Sequence, residues 1–150
     1  MSAVDVTSVL LDQAGRPARR SRSIQLTQDR VTAFGALTED MQWIHTDPVR
    51  AGAELGGTLV HGMLVAALIP GLVHEALEAP DCDRVINLGF ERLSFATPVP
   101  VGSAICLDAK VIEATPGKRG LDVRCDVTVW LDIERPRVSA AGVLRLRFIV

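Results

Sequence analysis

The residues best suited to chemistry lie in one stretch, Thr38-Glu39-Asp40-Met41-Gln42-Trp43-Ile44-His45-Thr46-Asp47-Pro48. It sets a carboxylate, Asp40, five positions before an imidazole, His45, in what reads as a loop. On one continuous helix that spacing would send the two side chains to diverging faces, whereas a loop lets them converge. A histidine beside a carboxylate can act as a base near neutral pH, since an unperturbed imidazole titrates at about 6.5 and a neighbouring negative charge favours its protonated form. Such a pair can activate one water, or take a proton with one member and return it with the other. A purely structural alternative stays open, with Asp40 capping a helix and His45 bonded to the backbone.

A second signal, Val60-His61-Gly62-Met63, stands at the mouth of a very apolar helix. The N–H of a glycine at a helix start has no intrahelical acceptor and lies at the positive end of the dipole. Gly62 is therefore a candidate donor to an oxyanion, such as the enolate of a thioester. Tight packing of helix against sheet would also explain a glycine there. His61 reads as a residue that orients the loop or caps the helix. His45-x-Asp47 could contribute to a metal site, but His61 and His74 are the other histidines, and His74 lies more than three helical turns beyond His61. Cys82, Cys106 and Cys125 form no Cys-x-x-Cys pair, so neither a metal nor a cofactor is expected.

These groups must be positioned by a chain of 150 residues, long enough for a single domain, 1–150, with a sizeable core. Apolar residues make up 48% and charged residues 23%, the balance of a globular protein rather than a disordered one. The net charge of −2 and the lack of a long basic run argue against nucleic acid, and Arg19, Arg20 and Arg22 read as a solvated segment. Three scattered cysteines fit a reducing cytoplasm. The N-terminus lacks the charged-then-apolar pattern of a signal peptide. Residues 59–73 are the most apolar stretch, yet they fall short of the ~20 residues a membrane span needs. They also contain His61 and Pro70, so a buried helix, not a membrane partner, is expected.

Residues 1–22 read as an irregular or partly helical lead-in, and residues 23–26 as a first strand. Thr27 is placed to cap a helix on which Val31, Phe34 and Leu37 recur at helical spacing. Asp47-Pro48 is a cap followed by a first-turn proline, and Gly56-Gly57 ends the short helix it opens. The long helix that follows shows no polar face, so it must be enclosed on most sides, with Pro70 and Gly71 as the places for a kink. The second half is strand. Alternation switches phase between Phe90 and Leu93, which predicts a bulge near Glu91-Arg92. Residues 121–133 alternate without a fault, with Trp130 the one large apolar side chain on the wetter face. An antiparallel sheet with one wet face, wrapped around an apolar helix, buries both elements. That is the hot-dog arrangement, an α+β class, and its open sheet edge and helix ends favour a homodimer.

The stretch from Thr38 to Pro48 with Val60-His61-Gly62-Met63-Leu64, followed by Phe90, Leu93-Ser94-Phe95, Pro98-Val99 and Gly102, resembles the MaoC-like hydratases, the (R)-specific enoyl-CoA hydratases. The resemblance spans residues 24–149 and implies reversible syn addition of water to a trans-2-enoyl thioester, carried by CoA or acyl carrier protein. It implies Asp40 and His45 as the catalytic pair and the Gly62 N–H as the site for the thioester oxygen. Gln42 stands where the family usually has asparagine and would hold water or shape the site. Gln42-Trp43 in place of Asn-Pro is similar to the nodulation-protein-N-like branch. Trp43 and Pro70 are the residues expected to reshape the acyl pocket. Two other functions fit the fold: a thioesterase, for which Glu75 or Glu78 would supply the carboxylate, and an acyl-thioester binding protein without turnover.

Overall fold

The computed structural model describes residues 6–77, 82 and 84–149. Helix α1 (Val6–Gln13) lies within the lead-in, and two short strands follow, β1 (Arg19–Arg20) and β2 (Ile24–Gln25). Leu10 of α1 is fully buried and Gln13 Nε2 donates to the Leu77 carbonyl at 2.9 Å, so this segment closes one side of the core. The arginine cluster is pinned rather than merely solvated. Arg20 pairs with Asp108 at 2.7 Å, and Arg22 holds Glu75 through both its backbone N–H and its side chain.

Helix α2 (Gln28–Thr38) starts where Thr27 Oγ1 accepts from the Arg30 N–H, and it ends at Glu39, whose φ of 62° turns the chain out of the helix. Its buried side is Val31 and Gly35, while Leu37 is 83% exposed and takes no part in the core. The next stretch is not all loop. Residues 43–46 close a single helical turn, α3 (Trp43–Thr46), and Asp47 then caps α4 (Pro48–Leu55) by accepting from the Arg50 N–H at 3.0 Å.

The long helix, α5 (Gly62–Ala76), begins later than its apolar run suggests. Leu59 and Val60 are instead extended: Leu59 bridges Pro100 and the Val60 N–H donates to the Val99 carbonyl. The helix runs through Pro70 without interruption. It is also less enclosed than expected. Leu64, Val65, Ile69, Leu72 and Val73 face the sheet, but Met63 is 65% exposed and Ala67 and Gly71 also face outward.

Four long strands form the sheet with the two short ones: β3 (Arg84–Phe95), β4 (Ala104–Gly117), β5 (Gly120–Asp132) and β6 (Arg137–Ile149). The order is β1-β4-β5-β6-β3, all antiparallel, with β2 also on β4. The inner face carries Leu107, Ala109, Val111, Val123, Cys125, Val127, Val129, Leu144 and Leu146 onto α5. Residues 121–131 alternate as expected, whereas Ile133 lies past the strand end and is 41% exposed. On the wet face the Trp130 indole donates to Asp108 at 2.9 Å. Two register shifts interrupt β3, one between Phe90 and Arg92 at the expected place and one between Asn87 and Gly89.

Candidate active site

Asp40 stands in the short loop between α2 and α3, and His45 on the single turn of α3. The break at Glu39 is what lets a five-residue spacing converge, because the two residues do not share a helix axis. One ligand-type atom each from Asp40, His45 and His61 lies within 4.8 Å of the others.

The His45 ring is 93% buried, and its Nδ1 lies 2.7 Å from the Leu59 carbonyl. A carbonyl only accepts, so Nδ1 carries the proton in the neutral ring and Nε2 keeps its lone pair. His61 is 98% buried, and by the same logic its Nε2–H donates to the Asp40 carbonyl at 2.9 Å. The His61 ring stacks on His45 with centroids 3.8 Å apart and meets the edge of Phe34 at 5.2 Å. His61 makes no side-chain cap on α5, so of its two expected roles it fills the first, fastening the loop that carries Asp40. Its Nδ1 is buried and unpaired.

Gly35 makes this fastening possible. A Cβ at that position would lie 2.9 Å from the Asp40 carbonyl oxygen and 3.3 Å from His61 Nε2. Gln42 donates through Nε2 to Asp40 Oδ1 at 2.9 Å. That hydrogen bond, opposed by partial desolvation and aided by the two imidazoles, holds the Asp40 carboxyl below its ordinary value. Asp40 is therefore an acceptor at neutral pH.

Gly62 is the first residue of α5, so its N–H has no intrahelical acceptor. The nearest atoms to a Cβ on Gly62 would be those of the Phe95 ring, at 3.5 Å, an ordinary contact. Protein packing thus does not demand a glycine here. Two cavities flank this helix start. One of about 390 Å³ is lined by His45, Gly62, Val65, Phe95, Thr97 and Ser139 among others. The other, of about 520 Å³, runs past Asp40, Phe34, Met63, Ala67, Pro70, Asn87 and Phe90. A larger hollow of about 750 Å³ at the β4–β5 hairpin contains none of these groups.

The structure therefore brings Asp40, Gln42, His45 and Gly62 to one place, and adds His61, Gly35 and Ser139 to it. Pro70 borders the second cavity. Trp43 lines neither cavity and sits under the Arg50 guanidinium, 4.0 Å from its ring centroid. Asp47 is engaged as a helix cap, not as a ligand beside His45. The Asp40, His45 and His61 cluster has a metal-like donor set. However, its two rings stack at 25° to one another, so their in-plane lone pairs run side by side and do not meet at one ion. Glu75 is occupied by Arg22 toward the far end of α5, and Glu78 lies outside the described residues.

A model of the MaoC like domain matches residues 10–131. The chain belongs to the MaoC-like family. Among its MaoC-like relatives is the 3-hydroxyacyl-thioester dehydratase Z of Mycobacterium tuberculosis, 31% identical over 149 residues, covering 97% of this chain and 98% of that protein. Nodulation protein N of Rhizobium meliloti is 34% identical over 108 residues, covering 70% of this chain and 65% of that protein. The solved (R)-hydratase of A. caviae, described as involved in PHA biosynthesis, matches with a TM-score of 0.72 at 25% identity. The match covers 88% of this MaoC-like chain and 96% of that structure. The hot-dog fold is shown by these neighbours, and the hydratase and dehydratase relatives support an enzyme of that kind. Among the described residues no helix is long and apolar enough to cross a membrane.

Proposed function

We propose that this chain is an (R)-specific enoyl-thioester hydratase/dehydratase, adding water reversibly and syn across a trans-2-enoyl thioester of CoA or acyl carrier protein. The observation that carries the reading is the His45 Nδ1–H bond to Leu59, which leaves a base at Nε2 beside the Asp40 carboxylate. A water held between the two gives a proton to Nε2 while its oxygen bonds to C3. Electron density then moves onto the thioester oxygen, which the Gly62 N–H stabilises. The pair returns a proton to C2 on the same face, and the reverse sequence eliminates water. Gln42 keeps Asp40 oriented and ionised through its hydrogen bond.

A second copy of the chain is part of this reading. β3 is a sheet edge with one neighbour, and the uncovered side of α5 presents Met63, 65% exposed, in a cavity that Phe90 of β3 also lines. An unpaired sheet edge and an exposed apolar side of the helix suit a homodimer. Sedimentation of the intact protein tests it, and a monomer at micromolar concentration would exclude it. A cytoplasmic location belongs to the same proposal, in keeping with three cysteines outside any disulfide.

The deciding test is loss of enoyl absorbance from short and medium trans-2-enoyl-CoA, with Asp40→Asn and His45→Gln in parallel. Each variant should lose about a hundredfold or more in kcat, the usual contribution of a positioned acid or base. Full activity in both would refute the mechanism. Chiral analysis of the hydrated product fixes the stereochemistry.

A further inference from the structure

Strands β5 and β6 pair residue for residue except at one place. Val129 faces Ala140 and Trp130 faces Val138, which leaves Ser139 as an extra residue in β6. Ser139 is 1% exposed. A bulge can re-aim a side chain, and Ser139 lines the cavity that also holds His45 and Gly62. The backbone at this point is fixed, since the Ser139 carbonyl accepts from the Ala96 and Thr97 N–H groups at 2.8 and 3.4 Å.

The hydroxyl itself is unmatched. Among the described residues three hydroxyl side chains are buried, those of Ser21, Thr58 and Ser139. Ser21 Oγ donates to the Arg22 carbonyl and accepts from the Leu107 N–H. Thr58 Oγ1 donates to Gln28 Oε1 at 2.6 Å. Ser139 Oγ has no partner among the described residues, and the wall around it is mostly apolar: Leu59, Val60, Val65, Phe95 and Val99. With no such partner, the hydroxyl is left for a group that enters the cavity to bond.

We propose that Ser139 is a specificity-determining residue, its hydroxyl bonding a polar group of the thioester lodged in this cavity; this rests on the hydratase reading above. A hydroxyl both donates and accepts, so it suits an amide or an oxygen substituent. With the thioester oxygen at Gly62, two parts of a substrate can bring such a group: the amide nearest the sulfur on the thiol side, or an oxygen on the acyl chain.

The test compares wild type with Ser139→Ala on three substrates. These are crotonyl-CoA, the crotonyl thioester of a plain alkanethiol without amides, and an enoyl-CoA with a hydroxyl on its acyl chain. The variant is expected to lose about threefold to tenfold in kcat/KM wherever the recognised group is present, the worth of one neutral hydrogen bond. Its melting temperature without ligand should equal or exceed that of wild type. Loss on both CoA substrates but not on the alkanethiol thioester identifies the thiol-side amide. Loss confined to the hydroxylated chain identifies the acyl side. Unchanged kcat/KM on all three overturns the proposal. An equal loss on all three overturns it too, and a lowered melting temperature would then mark a structural role. Should wild type turn over none of them, the hydratase reading falls separately. Calorimetric titration with crotonyl-CoA and with the hydroxylated enoyl-CoA then decides for Ser139, with weaker binding of either by the variant in support and equal binding of both against.

Discussion

Replacing Gly35 by alanine tests whether close approach at the end of α2 is what sets Asp40 against His45. The new Cβ would lie 2.9 Å from the Asp40 carbonyl oxygen, 3.2 Å from Met41 Sδ and 3.3 Å from His61 Nε2. Methionine sulfur can swing away, but a backbone oxygen cannot, so the loop must retreat by about 0.5 Å to reach ordinary contact. A misplacement of about 1 Å at a reacting pair costs about a hundredfold, so half that distance costs about tenfold in kcat. Stability moves less. The helix gains about 1 kcal/mol from alanine over glycine, while overpacking costs about 1–3 kcal/mol, leaving a net loss of about 0–2 kcal/mol. Gly52 on α4 is the matched control, since a Cβ there meets nothing within 4 Å. Gly52→Ala should raise stability by up to about 1 kcal/mol and leave kcat alone. Urea unfolding and enoyl-CoA hydration on both variants read the two quantities. If Gly35→Ala keeps full kcat and gains stability as Gly52→Ala does, the reasoning fails.

Three further outcomes follow from other parts of the molecule. Asp47→Ala should cost about 1 kcal/mol through loss of the cap on Arg50 N–H, with hydration kinetics nearly unchanged, as urea unfolding and rate assays would show. Asp108 is held below its ordinary value of 3.8, first by the Arg20 hydrogen bond. Its contribution to stability is therefore complete above that value and fades as pH falls through the lower folded one. Asp108→Asn should be less stable than wild type at pH 5 and converge with it in increasingly acid solution, as denaturant midpoints across that range would report. Finally, burial pushes the Cys125 thiol up to about 12 and raises that of Cys106. Alkylation of the native protein at pH 8 should therefore spare both until denaturant is added, while half-buried Cys82 reacts first, as mass spectrometry would show.

Much of this was legible in the sequence because it is written locally. Thr27 and the Asp47-Pro48 pair announce their helices through side-chain and ring chemistry that needs no distant partner. The phase switch between Phe90 and Leu93 exposes one bulge. What escaped depends on contacts between remote segments. The turn of α3 is only four residues long, held partly by the His45 bond to Leu59, fourteen positions away. The two-residue strand β1 pairs with β4, where Arg20 also meets Asp108, 88 positions away. The bulge at Ser139 hides because Ser139, Ala140 and Ala141 are too small to betray a phase. The uncovered side of α5 escaped for the opposite reason. An apolar sequence states that a surface avoids water, and does not state whether this chain or another one covers it.

The stack of His61 on His45 has a consequence for how the protein comes into being. The Asp40 loop hangs from His61, His45 is anchored to Leu59, and Gly35 leaves room for the Asp40 carbonyl that His61 holds. Three separate stretches must therefore come together before the Asp40 and His45 side chains have a fixed orientation. A nascent or half-unravelled chain holds the same aspartate and histidine, but as solvated side chains with no shared target. On the proposed hydratase reading, turnover therefore needs all three stretches in place and doubles as a gauge of intact tertiary structure.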